Sequence, residues 1–184
     1  MNKKMGLASV ILAAAMPLAS LADTGTIYVT GQFGKTSYDL GSGSANIDDE
    51  DNGYSMGIGV RMGPNLSVEA GYVDLGEVSG SNGTDSLSVE TGGAFAGLGL
   101  FIPLQPGFEL TGRVGLIAWD SDAKINFGGI STSESEDGSD LYYGIGAAFQ
   151  VSRELHLTVG FDRYDIDDTD VDMLSLGAKF YFAL

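Results

Sequence analysis

Residues 54–72 read YSMGIGVRMGPNLSVEAGY, and apolar side chains alternate in this stretch with small or polar ones. Pro64 and Asn65 interrupt the alternation with a turn signal, so the stretch predicts two strands joined as a β-hairpin. Successive side chains of a strand point to opposite faces, which gives this hairpin one apolar face and one small or polar face. A soluble sandwich would turn the apolar face inward, whereas a transmembrane barrel turns it outward to lipid. The second face is rich in glycine, which suits a crowded interior and favours the barrel.

The N-terminal segment, residues 1–22, has the features of a secretory signal peptide. Lys3 and Lys4 precede an apolar run over residues 5–18, and Ser20-Leu21-Ala22 offers a cleavage site of the small-x-small type. The apolar run is too short to span a bilayer comfortably, so a membrane anchor is the weaker alternative. We therefore expect residues 1–22 to be removed and residues 23–184 to form one exported domain.

The mature chain is strongly acidic. Without the two lysines of the signal, seven basic side chains face 25 acidic ones, a net charge of −18. Such a charge repels phosphate backbones, so nucleic acid is excluded as a natural partner. The chain has no cysteine, which rules out a disulfide framework and thiol chemistry.

Eight segments of the mature chain show the same alternation, which predicts eight β-strands. They cover residues 26–38, 54–62, 66–72, 87–102, 108–119, 141–151, 155–164 and 172–184. Their connections alternate in length, and the long, polar ones lie at 39–52, 74–86, 120–140 and 165–171. Outer-membrane barrels have this asymmetry, with short periplasmic turns, long external loops and both termini on the periplasmic side.

Charge and strand length agree with a membrane barrel. All but five of the 25 acidic residues lie in the four long loops or at their rims, which leaves few charges for a lipid-facing band. A strand of about ten residues at ~3.3 Å per residue, tilted by ~45°, spans roughly 23 Å, close to the ~25 Å band expected. The predicted fold is therefore all-β, an eight-stranded antiparallel up-and-down transmembrane β-barrel. A secreted β-sandwich is the alternative.

Three segments resemble strands of known outer-membrane barrels. LSVEAGYVDLG (66–76), FELTGRVGLIAWD (108–120) and MLSLGAKFYF (173–182) are similar to the third, fifth and eighth strands of the OmpA transmembrane domain. The mature chain thus resembles the OmpA/OmpX-type eight-stranded outer-membrane β-barrel family over its whole length. The resemblance implies a monomer in the bacterial outer membrane, in contact with lipid and lipopolysaccharide, with external loops and periplasmic termini.

The C-terminal end departs from the family pattern. The sequence stops two residues after Phe182, so we expect none of the peptidoglycan-binding domain that follows the barrel in full-length OmpA relatives. Many such barrels end in phenylalanine as an assembly signal, whereas this chain ends in Leu184. The resemblance implies that Phe180, Phe182 and Leu184 act as this signal for the barrel-assembly machinery.

Four charged residues are expected to point into the lumen: Arg61, Glu69, Arg113 and Lys179. Eight strands enclose a space that side chains fill, so these charges should pair in a packed polar core. We expect Glu69 to bond to Arg61 or Arg113, because an unpaired buried charge costs several kcal/mol.

The acidic loops offer a possible site for calcium or magnesium, since carboxylates are hard oxygen ligands. The two acidic runs, at 48–51 and 165–170, lack the ligand spacing of an EF-hand loop. Solvated and mutually repelling loops are therefore the simpler interpretation. The candidate ligands are Asp48, Asp49, Glu50, Asp51, Asp165, Asp167, Asp168 and Asp170. No other metal site and no cofactor is expected.

Catalysis is not expected. His156 is the one histidine of the chain, and it lies two residues from Thr158, where no serine stands. A nucleophilic mechanism needs a base within hydrogen-bond reach of an activated hydroxyl. His156 near a short turn is more simply a rim residue.

The sequence therefore predicts a structural or surface-interaction role, envelope integrity or adhesion through acidic external loops. A narrow, porin-like channel for small solutes or ions is the alternative. Ala148, Thr158 and Gly160 stand where the family carries part of its interior ion-pair cluster, which implies a looser block of the lumen. Fold alone does not decide between these functions.

Overall fold

The computed structural model describes residues 25–38, 47–48, 50–82, 85–127, 130–167 and 169–182. The predicted signal peptide and Leu184 lie outside these residues. Eight long strands make up the wall: β1 Thr26–Tyr38, β2 Glu50–Arg61, β3 Leu66–Asn82, β4 Asp85–Gln105, β5 Phe108–Phe127, β6 Ile130–Gln150, β7 Leu155–Ile166 and β8 Thr169–Tyr181. A two-residue strand, Ile47–Asp48, precedes β2. Within the described ranges, no helix is long and apolar enough to cross a membrane.

The eight strands close into a barrel. Each strand pairs antiparallel with its neighbours in sequence, and β1 pairs with both β2 and β8. Gly31, for example, lies opposite Met56 on one side and Ala178 on the other. The predicted eight-stranded antiparallel up-and-down barrel is confirmed, and the alternative of a sandwich is wrong.

The two ends of the barrel differ. At one end, called here the turn end, the connections are short and lie at 62–65, 106–107 and 151–154, and β1 begins and β8 ends there. The Met62 amide donates to the Leu66 carbonyl at 2.7 Å, and Gly63 takes a φ of 92°, which glycine adopts without strain. The opposite end, called here the hairpin end, carries the other four connections.

Two of the predicted long loops are mostly strand. Pairing of β3 with β4 continues to Asn82 and Asp85, and pairing of β5 with β6 continues to Phe127 and Ile130. The predicted loops 74–86 and 120–140 thus form long hairpins, and 165–171 is a tight connection. These segments hold only a few apolar side chains, such as Leu75, Val78 and Ile125, so the hydrophobic alternation is too short to mark them as strands. Main-chain pairing does not need it.

The outer face of the wall is apolar, unlike the surface of a soluble protein, and the inner face is polar over the half nearest the turn end. Large apolar side chains point outward and are exposed, such as Ile145 at 73% and Leu176 at 70%. Tyrosine, threonine, serine, glycine and charged side chains point inward, and Tyr28 and Tyr142 are fully buried. An apolar outer face is what a bilayer requires of a barrel.

Inward glycines make room for the large side chains of the interior. A Cβ on Gly59 would lie 2.7 Å from Cε2 of the buried Tyr28 ring, and a Cβ on Gly115 would lie 2.6 Å from Cε1 of the Tyr142 ring. Gly76 has a different role, because its φ of 85° falls where the β3–β4 register shifts at a bulge.

Gly59→Ala should destabilise the barrel by about 1–3 kcal/mol, because the added methyl overpacks the fixed Tyr28 ring. Gly31→Ala is the matched control, since a Cβ there meets nothing within 4 Å. Urea unfolding in detergent micelles, followed by the fluorescence of the single tryptophan, Trp119, measures both. Equal stability of the two variants would contradict the packing argument.

Candidate functional site

A half-buried ion pair lies in the interior nearest the turn end, at the mouth of the lumen. Arg61 donates to both carboxylate oxygens of Glu109, at 2.6 and 3.2 Å, and to the Pro64 carbonyl at 2.6 Å. The guanidinium lies over the Phe101 ring, 4.2 Å from its centroid. This bidentate geometry fixes the guanidinium across the mouth of the lumen.

A second, buried cluster is centred on Glu69. Its Oε1 accepts hydrogen bonds from the Tyr28 hydroxyl at 2.5 Å, from Lys179 Nζ at 3.2 Å and from Ser67 at 3.3 Å. Glu69 is 3% exposed and Lys179 is 8% exposed. The Lys179 ammonium also lies 4.9 Å from the ring centroids of Tyr28 and Phe101. The carboxylate is therefore compensated by one cation and two hydroxyls.

A third pair lies deeper in the lumen. Arg113 donates through Nε and one terminal nitrogen to the two carboxylate oxygens of Asp162, which is buried. A Cβ on Gly144 would collide with this carboxylate, so the absence of a side chain there admits the pair.

All four charged residues that the sequence placed in the lumen lie there, but their pairing differs from the expectation. Glu69 bonds to Lys179 and not to Arg61 or Arg113, each of which has its own acid. The expected partner of Glu69 was wrong. Sequence reasoning missed the roles of Tyr28, Glu109 and Asp162, although their position in the strand alternation places all three on the inner face.

The half of the interior nearest the hairpin end is apolar. A continuous cluster of buried side chains fills it: Tyr38, Val73, Leu75, Val78, Phe95, Ile117, Trp119, Tyr142, Tyr164, Ile166, Val171 and Met173. Its polar atoms are partly satisfied at the rim, where Trp119 Nε1 donates to Asp140 at 2.7 Å and the Tyr38 hydroxyl donates to the Leu75 carbonyl at 3.1 Å. This cluster closes the lumen above the ion pairs.

A small cavity of about 30 Å³ lies between the Glu69 and Arg113 pairs. Its lining includes Thr158 and Gly160, two of the positions at which the sequence predicted a looser block. The space admits about two waters, and Glu69 Oε2 and Thr158 Oγ1 are buried polar atoms with no partner among the described residues. None of the side chains of the apolar cluster lines this cavity.

Two of the described acidic residues considered as cation ligands are bonded to other protein groups. Asp51 accepts from the Glu77 amide at 2.7 Å, and Asp170 pairs with Arg163 at 3.1 Å. Burial, and then repulsion by Asp170 and Asp140, raises the pKa of Asp165. Asp49, Asp168 and the side chain of Asp48 lie outside the described residues, and Glu50 and Asp167 are exposed. Among the residues that the structure describes, no three His, Cys, Asp or Glu side chains could hold a metal ion.

The remaining predicted positions lie at the turn end. The His156 ring packs against Tyr181, 4.7 Å between centroids, which makes it a packing residue of the rim. Phe180 and Phe182 are exposed on the outer face and meet edge to face at 5.3 Å. Leu184, the third residue of the expected assembly signal, lies outside the described residues.

Lys179→Met should cost about 3–5 kcal/mol of unfolding free energy, because it leaves the Glu69 carboxylate buried without a cation. The double variant Lys179→Met, Glu69→Gln should recover most of this loss, since both charges are then gone. Urea unfolding of the two variants, referred to the wild type, gives the comparison.

Arg163→Met is the matched control for this experiment. It breaks an arginine–carboxylate pair with Asp172 whose side chains are 34% and 27% exposed, so water screens the loss and the effect should be much smaller. A Lys179→Met variant no less stable than Arg163→Met would contradict the buried-pair interpretation.

Comparison with known proteins agrees with this geometry. The model of the outer membrane protein beta-barrel domain family matches residues 5–182. Outer membrane protein A of Klebsiella pneumoniae is 25% identical over 175 residues, which cover 85% of this chain and 51% of that protein, so the chain spans about half the relative's length.

Solved structures share the fold. Ail of Yersinia pestis, in complex with the heparin analogue sucrose octasulfate, is 16% identical with a TM-score of 0.64, over 86% of this chain and 99% of that chain. The N-terminal barrel domain of Pseudomonas aeruginosa OprF is 15% identical with a TM-score of 0.57, over the same shares. The chain belongs to the outer membrane protein β-barrel domain family.

Proposed function

We propose that this protein is a monomeric surface protein of the bacterial outer membrane that binds cationic partners through its hairpin end. In this proposal residues 1–22 are a cleaved signal peptide, the hairpin end is extracellular and the turn end is periplasmic. The wall contacts lipid and lipopolysaccharide, and Phe180, Phe182 and Leu184 guide insertion by the barrel-assembly machinery. Family membership supports the outer-membrane location, and the length asymmetry of the connections supports the orientation.

The observation that carries the surface role is a sheet that extends past the rest of the wall. Its residues are 77–82 of β3, 85–91 of β4, 121–127 of β5 and 130–140 of β6, called here the protruding sheet. The neighbouring β7–β8 hairpin ends much closer to the barrel, at Ile166 and Thr169. A hydrogen-bonded, exposed sheet presents main-chain and side-chain groups to a partner at lower ordering cost than unpaired loops.

The charge of the protruding sheet selects the class of partner. The protruding sheet has one exposed cation, Lys124, and a larger number of exposed carboxylates. The exposed carboxylates are Glu77, Glu90, Asp122, Glu134, Glu136 and Asp137. A sulfated polyanion of the kind bound to Ail would be repelled by this surface. Cationic polypeptides are the complementary class, which supports adhesion to basic protein surfaces.

The interior supports this role over that of a channel or an enzyme. Along the barrel axis, from the turn end to the hairpin end, the lumen is filled first by the Glu69 and Arg113 ion pairs and then by the apolar cluster. Ions crossing that apolar layer would lose their hydration without replacement. His156 is held by ring packing at the rim, which supports no nucleophilic mechanism.

The refolded mature protein should insert into a planar bilayer without steady conductance, because the apolar cluster interrupts the polar interior. Mobility on an unboiled gel, compared with that of boiled protein, verifies that the inserted material is folded. Steady single-channel conductance that changes in Glu69→Gln would contradict this expectation and promote the channel alternative.

In lipid nanodiscs made of uncharged phospholipid, the protein should bind the arginine-rich polypeptide protamine and not heparin. In a second variant, the β3–β4 and β5–β6 hairpins are shortened to the level of the β7–β8 connection. This variant should keep the gel mobility of the folded protein and lose protamine binding. Heparin binding by the wild type, or protamine binding unchanged by shortening, would overturn the proposed surface role.

A further inference from the structure

One edge of the protruding sheet is unpaired. Pairing of β6 with β7 ends where Tyr142 faces Tyr164, whereas pairing of β6 with β5 continues to Ile130. Residues 130–140 of β6 therefore have β5 on one side and no strand on the other among the residues that the structure describes. An antiparallel edge presents alternate N–H and C=O groups outward, ready to accept another strand.

This edge is protected by negative charge alone, without the lysine, proline or bulge that commonly protect a sheet edge. Residues 131–139 read STSESEDGS, with no lysine and no proline, and the pairing with β5 runs through them without a register shift. Most of these side chains are exposed. The edge is thus long, regular and accessible, which are the properties that favour strand addition.

Carboxylates on this edge disfavour a second copy as the partner. Glu134 and Glu136 share one face of the strand because they are two residues apart. An antiparallel pairing of two copies centred on Ser135 would bring Glu134 of each opposite Glu136 of the other, and like charges directly opposite are destabilising. A strand with basic residues at the same spacing would turn this repulsion into attraction.

We propose that the β6 edge over residues 131–139 binds an extended cationic polypeptide segment by strand addition. Basic side chains two residues apart lie opposite Glu134 and Glu136, and the partner's main chain completes the ladder. The strand-addition proposal rests on the proposed function, which places the protruding sheet outside the cell. It goes beyond that function by assigning the contact to one edge and by giving the partner a sequence pattern, basic-x-basic.

Two synthetic peptides of identical composition test the pattern by fluorescence anisotropy on the nanodisc-embedded protein. One alternates lysine with threonine or valine, and the other groups its lysines in one block. Main-chain pairing with alternating charge predicts at least about 10-fold tighter binding of the alternating peptide. Equal affinities would show charge attraction alone and overturn the proposal.

Charge variants locate the contact. Glu134→Gln and Glu136→Gln should each weaken binding of the alternating peptide about 1.4- to 5-fold, the range for a cross-strand charge pair. Glu77→Gln and Glu90→Gln are matched controls, because they remove the same charge from paired positions of β3 and β4, away from the edge. If the Glu134 and Glu136 variants lose no more affinity for the alternating peptide than the two controls do, the peptide binds elsewhere and the proposal is overturned.

Hydrogen exchange separates strand addition from side-chain attraction. Amides within residues 131–139 should gain protection when the alternating peptide is bound, and a peptide N-methylated at alternate residues should lose binding. Binding without new protection there would overturn the proposal. A separate experiment tests the proposed function itself. Intact cells are labelled with a membrane-impermeant amine reagent, which should modify Lys124 if the protruding sheet is extracellular. Absence of this label would overturn the proposed orientation, independently of the peptide experiments.

Discussion

The space inside an eight-stranded wall is so small that each inward side chain must be packed and each inward charge must be compensated. Glu69 shows the constraint in one residue: its buried carboxylate is matched by Lys179 and capped by the Tyr28 hydroxyl. Water cannot enter in quantity to solvate these groups, so protein partners replace it. The inward glycines follow from the same limit, because a methyl at Gly59 would occupy the space of the Tyr28 ring.

The constraint divides the interior into two layers with different chemistry. Ion pairs occupy the layer toward the turn end, and aromatic and aliphatic side chains occupy the layer toward the hairpin end. A charged layer fixes orientation through directional bonds, while an apolar layer fills volume. The two layers together make the lumen a core rather than a passage, and they leave the outer surfaces as the place for function.

The strand count and faces of the barrel were predictable because alternation is a local property of the sequence. Tyr54 to Tyr72 already shows which side chains face outward. The partner of Glu69 was not predictable in the same way, because Lys179 is 110 positions away and meets Glu69 only across the closed lumen. Such a contact depends on the stagger of the whole barrel, to which each strand register contributes. The outer hairpins escaped prediction for a different reason: their few apolar side chains leave only a short hydrophobic periodicity in the sequence.

Main-chain pairing explains both the closed wall and the open edge. In the bilayer, an unpaired N–H or C=O group costs several kcal/mol, so β1 must pair with β8 and no edge remains. Outside the bilayer, water satisfies these groups, and β6 continues past the end of β7 at small cost. The acidic side chains along that free edge suppress pairing between copies without covering the main chain. An edge kept open in this way is selective by charge, since only a strand that neutralises Glu134 and Glu136 gains from completing the ladder.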